Sequence, residues 1–223
     1  MMIDKFNEKI ANKENLANEI NNKEYWKKYY EKHYKPVGES TFAKFIINYL
    51  EKDKKIIELG CGNGRDSIFF SKNQLDVLSV DQIADEIQYL NEKWGNDKLK
   101  FITDDFTNLK IKNEFDYIYS RFTFHSINEK QENRTLKWIS SNLKKDGIFF
   151  IEARSIKDPM YHNGNQISDN ENYTNHYRRY MEIEKIKEKI KSIGLSIIYE
   201  IESNGIAVYK NDDPVVIRII AKK

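Results

Sequence analysis

The chain has 223 residues, 37 Lys plus Arg against 35 Asp plus Glu, and one cysteine, Cys61. This length suits one domain, a formal charge of +2 argues against a nucleic-acid groove or a membrane-surface patch, and the lone cysteine excludes an internal disulfide. No run approaches the ~18 apolar residues of a membrane span and the charged N-terminal stretch is unlike a signal peptide, so a cytoplasmic monomer or homodimer without nucleic-acid or membrane partners is expected.

Residues 1–50 read as a helical cap. The stretch up to Tyr34 is helix-compatible and spaces Trp26, Tyr29, Tyr30 and Tyr34 so that several share a face, until Pro36 and Gly38 break it. Ser40 offers an N-cap to a second helix, in which Phe42, Phe45, Ile46, Tyr49 and Leu50 recur at intervals of three and four. These aromatics suit either core packing or a lid over a bound cation.

Residues 51–154 alternate strand and helix. KKIIELG (54–60) predicts a strand stopped by glycine, and RDSIFFSKN (65–73) a helix starting at Arg65 or Asp66. DVLSVD (76–81), LKFITDD (99–105), FDYIYSRF (115–122) and IFFIEAR (148–154) predict further strands, and ADEIQYLNEKW (84–94) a helix. QENRTLKWISSNLKKDG (131–147) predicts a helix ended by Gly147 as a left-handed C-cap. Such alternation calls for an α/β, doubly wound, mostly parallel sheet with helices on both faces.

Residues 155–180 are polar and predict a long irregular loop, more often functional than idle. In residues 181–223 the helix MEIEKIKEKIKSIG (181–194) stops at Gly194, and LSIIYEIES (195–203) and PVVIRIIAK (214–222) form a strand pair able to close the sheet with an antiparallel strand.

The string from Glu58 through Gly60, Cys61, Gly62 and Gly64 sits between the first core strand and its helix, where glycines permit a sharp turn and close approach to a ligand. Its spacing is neither G-x-G-x-x-G nor a loop ending in Gly-Lys-Ser/Thr. Glu58 would repel a phosphate, whereas it suits an ammonium and a sulfonium. Asp81, ending the next strand, can accept from both hydroxyls of a ribose, and Asp105 from an adenine amino group with Phe106 beside the ring.

On the residues ELGCGNG (58–64), VDQ (80–82), TDDF (103–106) and FDYIYSRFTFH (115–125), the sequence resembles the class I S-adenosylmethionine-dependent methyltransferases. The resemblance implies S-adenosyl-L-methionine as cofactor, S-adenosyl-L-homocysteine as product, and a seven-stranded Rossmann-like sheet with an antiparallel last strand. It places Gly60, Gly62 and Gly64 around the methionine part, Asp81 at the ribose, Asp105 and Phe106 at the adenine, and Ser120 or Arg121 at the far side, with Glu58, Cys61 and Gln82 among the expected cofactor-binding residues. Cys61 itself reads as a small packing residue, and Tyr30 and Phe42 as parts of the lid. SRFTFH (120–125), EARS (152–155), HYRR (176–179) and residues 207–223 resemble a bacterial small-molecule subgroup, some members of which decorate surface polysaccharides.

Methyl transfer needs alignment of the acceptor, exclusion of water and, for a protonated acceptor, a base. His125, just past the fourth strand, is the candidate base, with Arg121 as the second catalytic candidate; His125 equally suits an ordinary hydrogen-bonded position. For the acceptor, Arg154, Arg178 and Arg179 offer forks suited to carboxylate or phosphate, and Tyr161, His162, Tyr173, His176 and Tyr177 offer further donors. Consecutive arginines point in different directions, so one of Arg178 and Arg179 is expected to face the pocket. The expected acceptor is a small polar anion, phosphorylated, phosphoramidate-type or a sugar or glycan precursor, methylated on O or N. No metal is expected, because His125, His162 and His176 lack a ligand-like spacing. The rivals are a non-catalytic cofactor-binding partner subunit and an adenosine-nucleotide-dependent oxidoreductase.

Overall fold

In the computed structural model, which describes residues 23–112 and 114–223, apolar residues that alternate along the strands are divided between two cores. The strands are β1 (Lys55–Leu59), β2 (Asp76–Asp81), β3 (Leu99–Thr103), β4 (Phe115–Arg121) and β5 (Leu143–Arg154), followed after the loop region by β9 (Ser196–Ser203) and β10 (Val216–Lys222). Their spatial order is β3-β2-β1-β4-β5-β10-β9. β1 to β5 are parallel, and β10, antiparallel to both neighbours, is the antiparallel last strand. On one face Phe149 and Ile151 of β5 and Ile217 and Ile219 of β10 pack with Leu136, Ile139, Ile186 and Ile190. On the other, Phe150 and Ile220 join Phe42, Ile46, Phe70, Ile87 and Leu90. Burial on both faces is what makes these strands read as near-continuous apolar runs.

The helices are α1 (residues 23–33), α2 (Thr41–Ile46), α3 (Arg65–Lys72), α4 (Ala84–Trp94), α5 (Glu129–Asn142) and α6 (Ile183–Ser192). Ser40 caps α2 as expected, its hydroxyl accepting from the Ala43 N–H at 3.0 Å. The part of the predicted helical cap in residues 1–22 lies outside the described residues. Gly194, with φ of 86°, ends the C-terminal helix as its sequence implied.

Three expectations are corrected. The fifth helix ends at Asn142 rather than Gly147, and Leu143 is already extended. The left-handed residue is Asp146 (φ 64°), while a Cβ on Gly147 would meet the Asp116 carbonyl at 3.0 Å, so this glycine serves a close approach of strands. The segment 155–179 is not wholly irregular; it carries an antiparallel three-stranded sheet, β6 (Asn165–Ser168), β7 (Glu171–Tyr173) and β8 (Tyr177–Arg179). Phe42 forms no lid: it is fully buried and stacked on Tyr119, with their centroids 5.3 Å apart.

Candidate active site

The order β3-β2-β1-β4-β5 reverses direction between β1 and β4, and ligands of doubly wound sheets bind where that reversal opens a crevice at the strands' C-terminal ends. A cavity of about 1090 Å³ occupies this place. Its floor is Glu58, Gly60, Cys61 and Gly62 after β1, Asp81 and Gln82 after β2, and Asp105 and Phe106 after β3. Arg121, Phe122, Thr123 and His125 after β4, with Arg154 of β5, form one wall. His176, Tyr177 and Arg178 of the small sheet and Tyr25, Trp26, Tyr29 and Tyr30 of α1 form the rest.

The turn after β1 is built by backbone geometry. Gly60 (φ 76°) and Gly62 (φ 53°) are left-handed, and a Cβ on Gly62 would lie 2.6 Å from the Tyr30 hydroxyl. Gly64 is also left-handed but does not line the cavity as expected; a Cβ there would press on Leu90 and Phe101, so it serves the seating of α3. Asp81 pins the loop, Oδ2 accepting from the Gly62 N–H at 3.0 Å and Oδ1 from the Ile83 N–H at 3.1 Å. Burial pushes its carboxyl up against the opposing pull of these backbone donors. Burial, then the neighbouring Asp66 charge, likewise pushes Glu58 well up, although Ser67 donates to it. Asp105 caps the turn after β3, accepting from the Thr107 N–H at 2.8 Å and hydroxyl at 2.9 Å. Burial raises the Cys61 thiol, in keeping with a packing role.

No ion pair joins Asp81 or Glu58 to a cation among the described residues, so the cavity floor carries two buried acids without a cationic partner. A ligand with donor hydroxyls and a positive charge fits that floor, while the Cβ space of Gly60 and Gly62 is taken by Thr123 and Tyr30, which close in on the turn. S-adenosylmethionine, with its ribose, ammonium and sulfonium, meets both requirements.

Pairing within the structure sorts the three predicted arginines. Arg154 lines the cavity but is committed to Asp158 (2.9 Å) and Asp212. Arg179 does not reach it: Arg179 is buried against Glu132 and donates to the Ile127 carbonyl at 3.0 Å. Arg178 lines the cavity and donates to the Thr174 hydroxyl at 2.8 Å, with no carboxylate partner among the described residues. Arg121 also lines it, 2.8 Å from Glu152, with its guanidinium 4.2 Å from the Phe122 ring centroid. The remaining expectations are corrected. Tyr161 donates to the Asp169 carbonyl and packs on Tyr180, His162 is exposed beside it, and Tyr173 belongs to β7 away from the cavity. Ser120 is fully buried against the Thr123 hydroxyl, and Thr123 faces the cavity in its place.

Sequence reasoning missed Phe122, Thr123, Tyr25 and Asp212. The string SRFTFH held the first two, but only the structure shows that Phe122 adopts φ of 56°, a conformation costly for an aromatic residue. Tyr25 stacks on His176 with centroids 4.1 Å apart, tying α1 to β8.

Two of the histidines that line the cavity, His125 and His176, stay neutral. Burial, then Arg154, Arg178, His176 and Arg121, holds His125 well below its usual range, and burial with Arg178 and Arg154 takes His176 down to about 3. His125 Nδ1 is buried without a hydrogen-bond partner, so no side chain orients this imidazole as a base. Below about pH 6.5 the unfolded chain binds more protons at His176 than the folded one, so its contribution to stability is whole above that pH and shrinks as pH falls toward 3. Glu58, Asp81 and Glu86 are displaced upward and act in the opposite sense, so the effect is read as a difference. The stability gap between wild type and His176→Asn, from urea midpoints, is expected to move against the wild type on acidification; a gap independent of pH contradicts this.

Fold and cavity together define a Rossmann-like sheet of the methyltransferase kind. The sequence matches the methyltransferase-domain family over residues 50–202, and the chain belongs to that family. It is 29% identical over 108 residues to TehB of Haemophilus influenzae, described as a probable S-adenosyl-L-methionine-dependent methyltransferase. That stretch covers 48% of this chain and 38% of the relative's length. Among solved structures, an S-adenosylmethionine-dependent methyltransferase from Clostridium acetobutylicum superposes with a TM-score of 0.66 at 19% identity, covering 82% of this chain and 90% of the other. The 1,6-didemethyltoxoflavin-N1-methyltransferase of Burkholderia thailandensis, solved with 1,6-didemethyltoxoflavin and S-adenosylhomocysteine, gives a TM-score of 0.64 at 17% identity, covering 81% and 76%. No helix among the described residues is long and apolar enough to cross a membrane.

Proposed function

We propose that this protein transfers a methyl group from S-adenosylmethionine to a small acceptor bearing one anionic group, held by Arg178. The observation that carries the reading is the pairing pattern of the cavity: Arg121 and Arg154 are matched by acids, and Arg178 has no acid partner among the described residues. A phosphate, phosphoramidate or carboxylate on a sugar, glycan precursor or other metabolite meets that need.

When bound, the cofactor supplies a methyl group already activated on a sulfonium. Asp81 and Gln82 would hold the ribose, Glu58 the ammonium, Asp105 and Phe106 the adenine side, and Tyr30 the cover over Gly62. The aromatic side chains of α1 exclude water and offer faces that attract a sulfonium. Arg178 orients the acceptor, so the protein's contribution is alignment. Arg121 and His125 would border the place where the two ligands meet, and neutral His125 would serve there as a hydrogen-bonding group rather than as the base.

Calorimetry with S-adenosylhomocysteine, followed by transfer of labelled methyl to a panel of phosphorylated sugars, small carboxylates and amino alcohols, tests the reading. Arg178→Ala is expected to raise KM for the acceptor roughly 10- to 100-fold, the scale of a charge-assisted hydrogen bond, and to leave S-adenosylhomocysteine affinity unchanged. Binding of NAD in place of S-adenosylhomocysteine would favour an oxidoreductase, and cofactor binding without transfer to any acceptor a non-catalytic subunit.

A further inference from the structure

Beside the main cavity lies a second one, of about 240 Å³, between α1 and α4. Three rings, Tyr30, Tyr34 and Tyr89, and three carboxylates, Glu31, Asp85 and Glu86, line it. Tyr34 and Tyr89 meet edge to face with centroids 5.4 Å apart. Glu86 is 5% exposed, and its carboxyl makes no hydrogen bond or ion pair among the described residues. The one lysine in the wall, Lys27, is paired with Asp85 at 2.8 Å instead.

We propose that this second cavity binds a small organic ammonium cation, seated against the Glu86 carboxylate and among the rings of Tyr30, Tyr34 and Tyr89. A buried carboxyl with no partner is costly, and a bound ammonium offsets that cost. Tyrosine rings attract ammonium groups, and rings combined with a carboxylate discriminate in favour of organic cations over strongly hydrated inorganic ones. A divalent metal is disfavoured, because no three His, Cys, Asp or Glu side chains among the described residues converge to hold one. The volume falls below that of pockets for drug-sized ligands and suits a ligand of a few heavy atoms. The residues on the main cavity's floor and Arg178 do not line this space; the two cavities share Tyr30 and Tyr34 as a common wall, and Glu86 belongs to the second alone.

The charges facing Glu86 set the pH dependence. They are Lys27 and Glu31 on α1, Asp85 on α4 and Asp81 at the end of β2. Burial, then the Asp81 charge, pushes the Glu86 carboxyl up to about 7. Cation binding therefore tightens as pH rises through 7 and Glu86 ionises.

Calorimetric titration of the full chain with propylammonium and with tetramethylammonium chloride, against potassium chloride at equal ionic strength, tests the site. Saturable binding of an ammonium is expected, weakened at least tenfold in Glu86→Gln and weakened again in Tyr89→Leu, with thermal unfolding checking that each variant is folded. Should Glu86→Gln fail to fold, Tyr89→Leu and the pH dependence of the wild type carry the test. The proposal is overturned if neither ammonium gives saturable heat, if folded variants bind as well as the wild type, or if potassium binds as tightly as the ammonium ions.

Discussion

Asp81→Ala is expected to weaken S-adenosylhomocysteine binding by roughly 100-fold, because two charge-assisted hydrogen bonds of ~1.5 kcal/mol each are lost. The carboxylate acts twice. Towards the cavity it would offer acceptor lone pairs to the vicinal hydroxyls of a ribose; towards the protein it fastens the glycine turn through the Gly62 and Ile83 N–H groups. Asp81→Ala removes both, whereas Asp81→Asn keeps one acceptor oxygen of the same reach and is expected to fall between it and the wild type. The difference between the two variants measures how much of the loss is charge and acceptor number rather than loop placement. Calorimetry gives the affinities, and thermal unfolding shows whether the variants remain folded. An unchanged affinity in folded Asp81→Ala would remove this residue from the ribose role.

That the glycine turn and the acids after the next two strands line one cavity was legible because these signals are local. A glycine-rich turn after one strand and acids after the next two occupy consecutive strand ends, and parallel order brings strand ends together without further information. Even there strand parity misled: β4 is buried on both faces, so alternation could not tell that Arg121 rather than Ser120 meets the cavity. The part of the cavity lined by arginines was less legible because its chemistry depends on distant pairing. Arg154 is matched by Asp212, 58 positions away, and Arg179 by Glu132, 47 away, so three equivalent-looking arginines become one available and two committed. Which histidines stay neutral depends on the same arrangement, since Arg154 and Arg178 depress both His125 and His176. Phe42 was misplaced for a related reason: a helical stripe states which residues share a face, and the partner, here Tyr119 of β4, is supplied by the fold.

The largest stability loss is expected away from the ligands, at Glu152→Gln. Glu152 lies on β5 with no exposed surface, its Oε2 accepting from Arg218 Nε at 2.5 Å and its Oε1 standing 2.8 Å from Arg121 Nε. Arg218 continues to the Thr41 hydroxyl at 2.9 Å and the Ile206 carbonyl at 2.7 Å, so one carboxylate joins the cavity wall, the last strand, α2 and the loop before β10. A neutral amide of the same shape leaves two buried guanidinium groups without a counter-charge, a change that costs ~3–5 kcal/mol in comparable sites. Against a typical total of about 5–15 kcal/mol for a folded domain, the variant should sit close to its unfolding threshold. Replacing all three members, Glu152→Leu with Arg121→Met and Arg218→Met, removes the charges together and should recover most of that loss, because desolvation opposes the attraction in the native triad. The same triple variant lacks the Arg121 guanidinium at the cavity and should remain defective in methyl transfer. Urea midpoints of the two variants decide the matter: a Glu152→Gln loss below about 1 kcal/mol, the range of an exposed pair, would mean that the triad is well hydrated in solution.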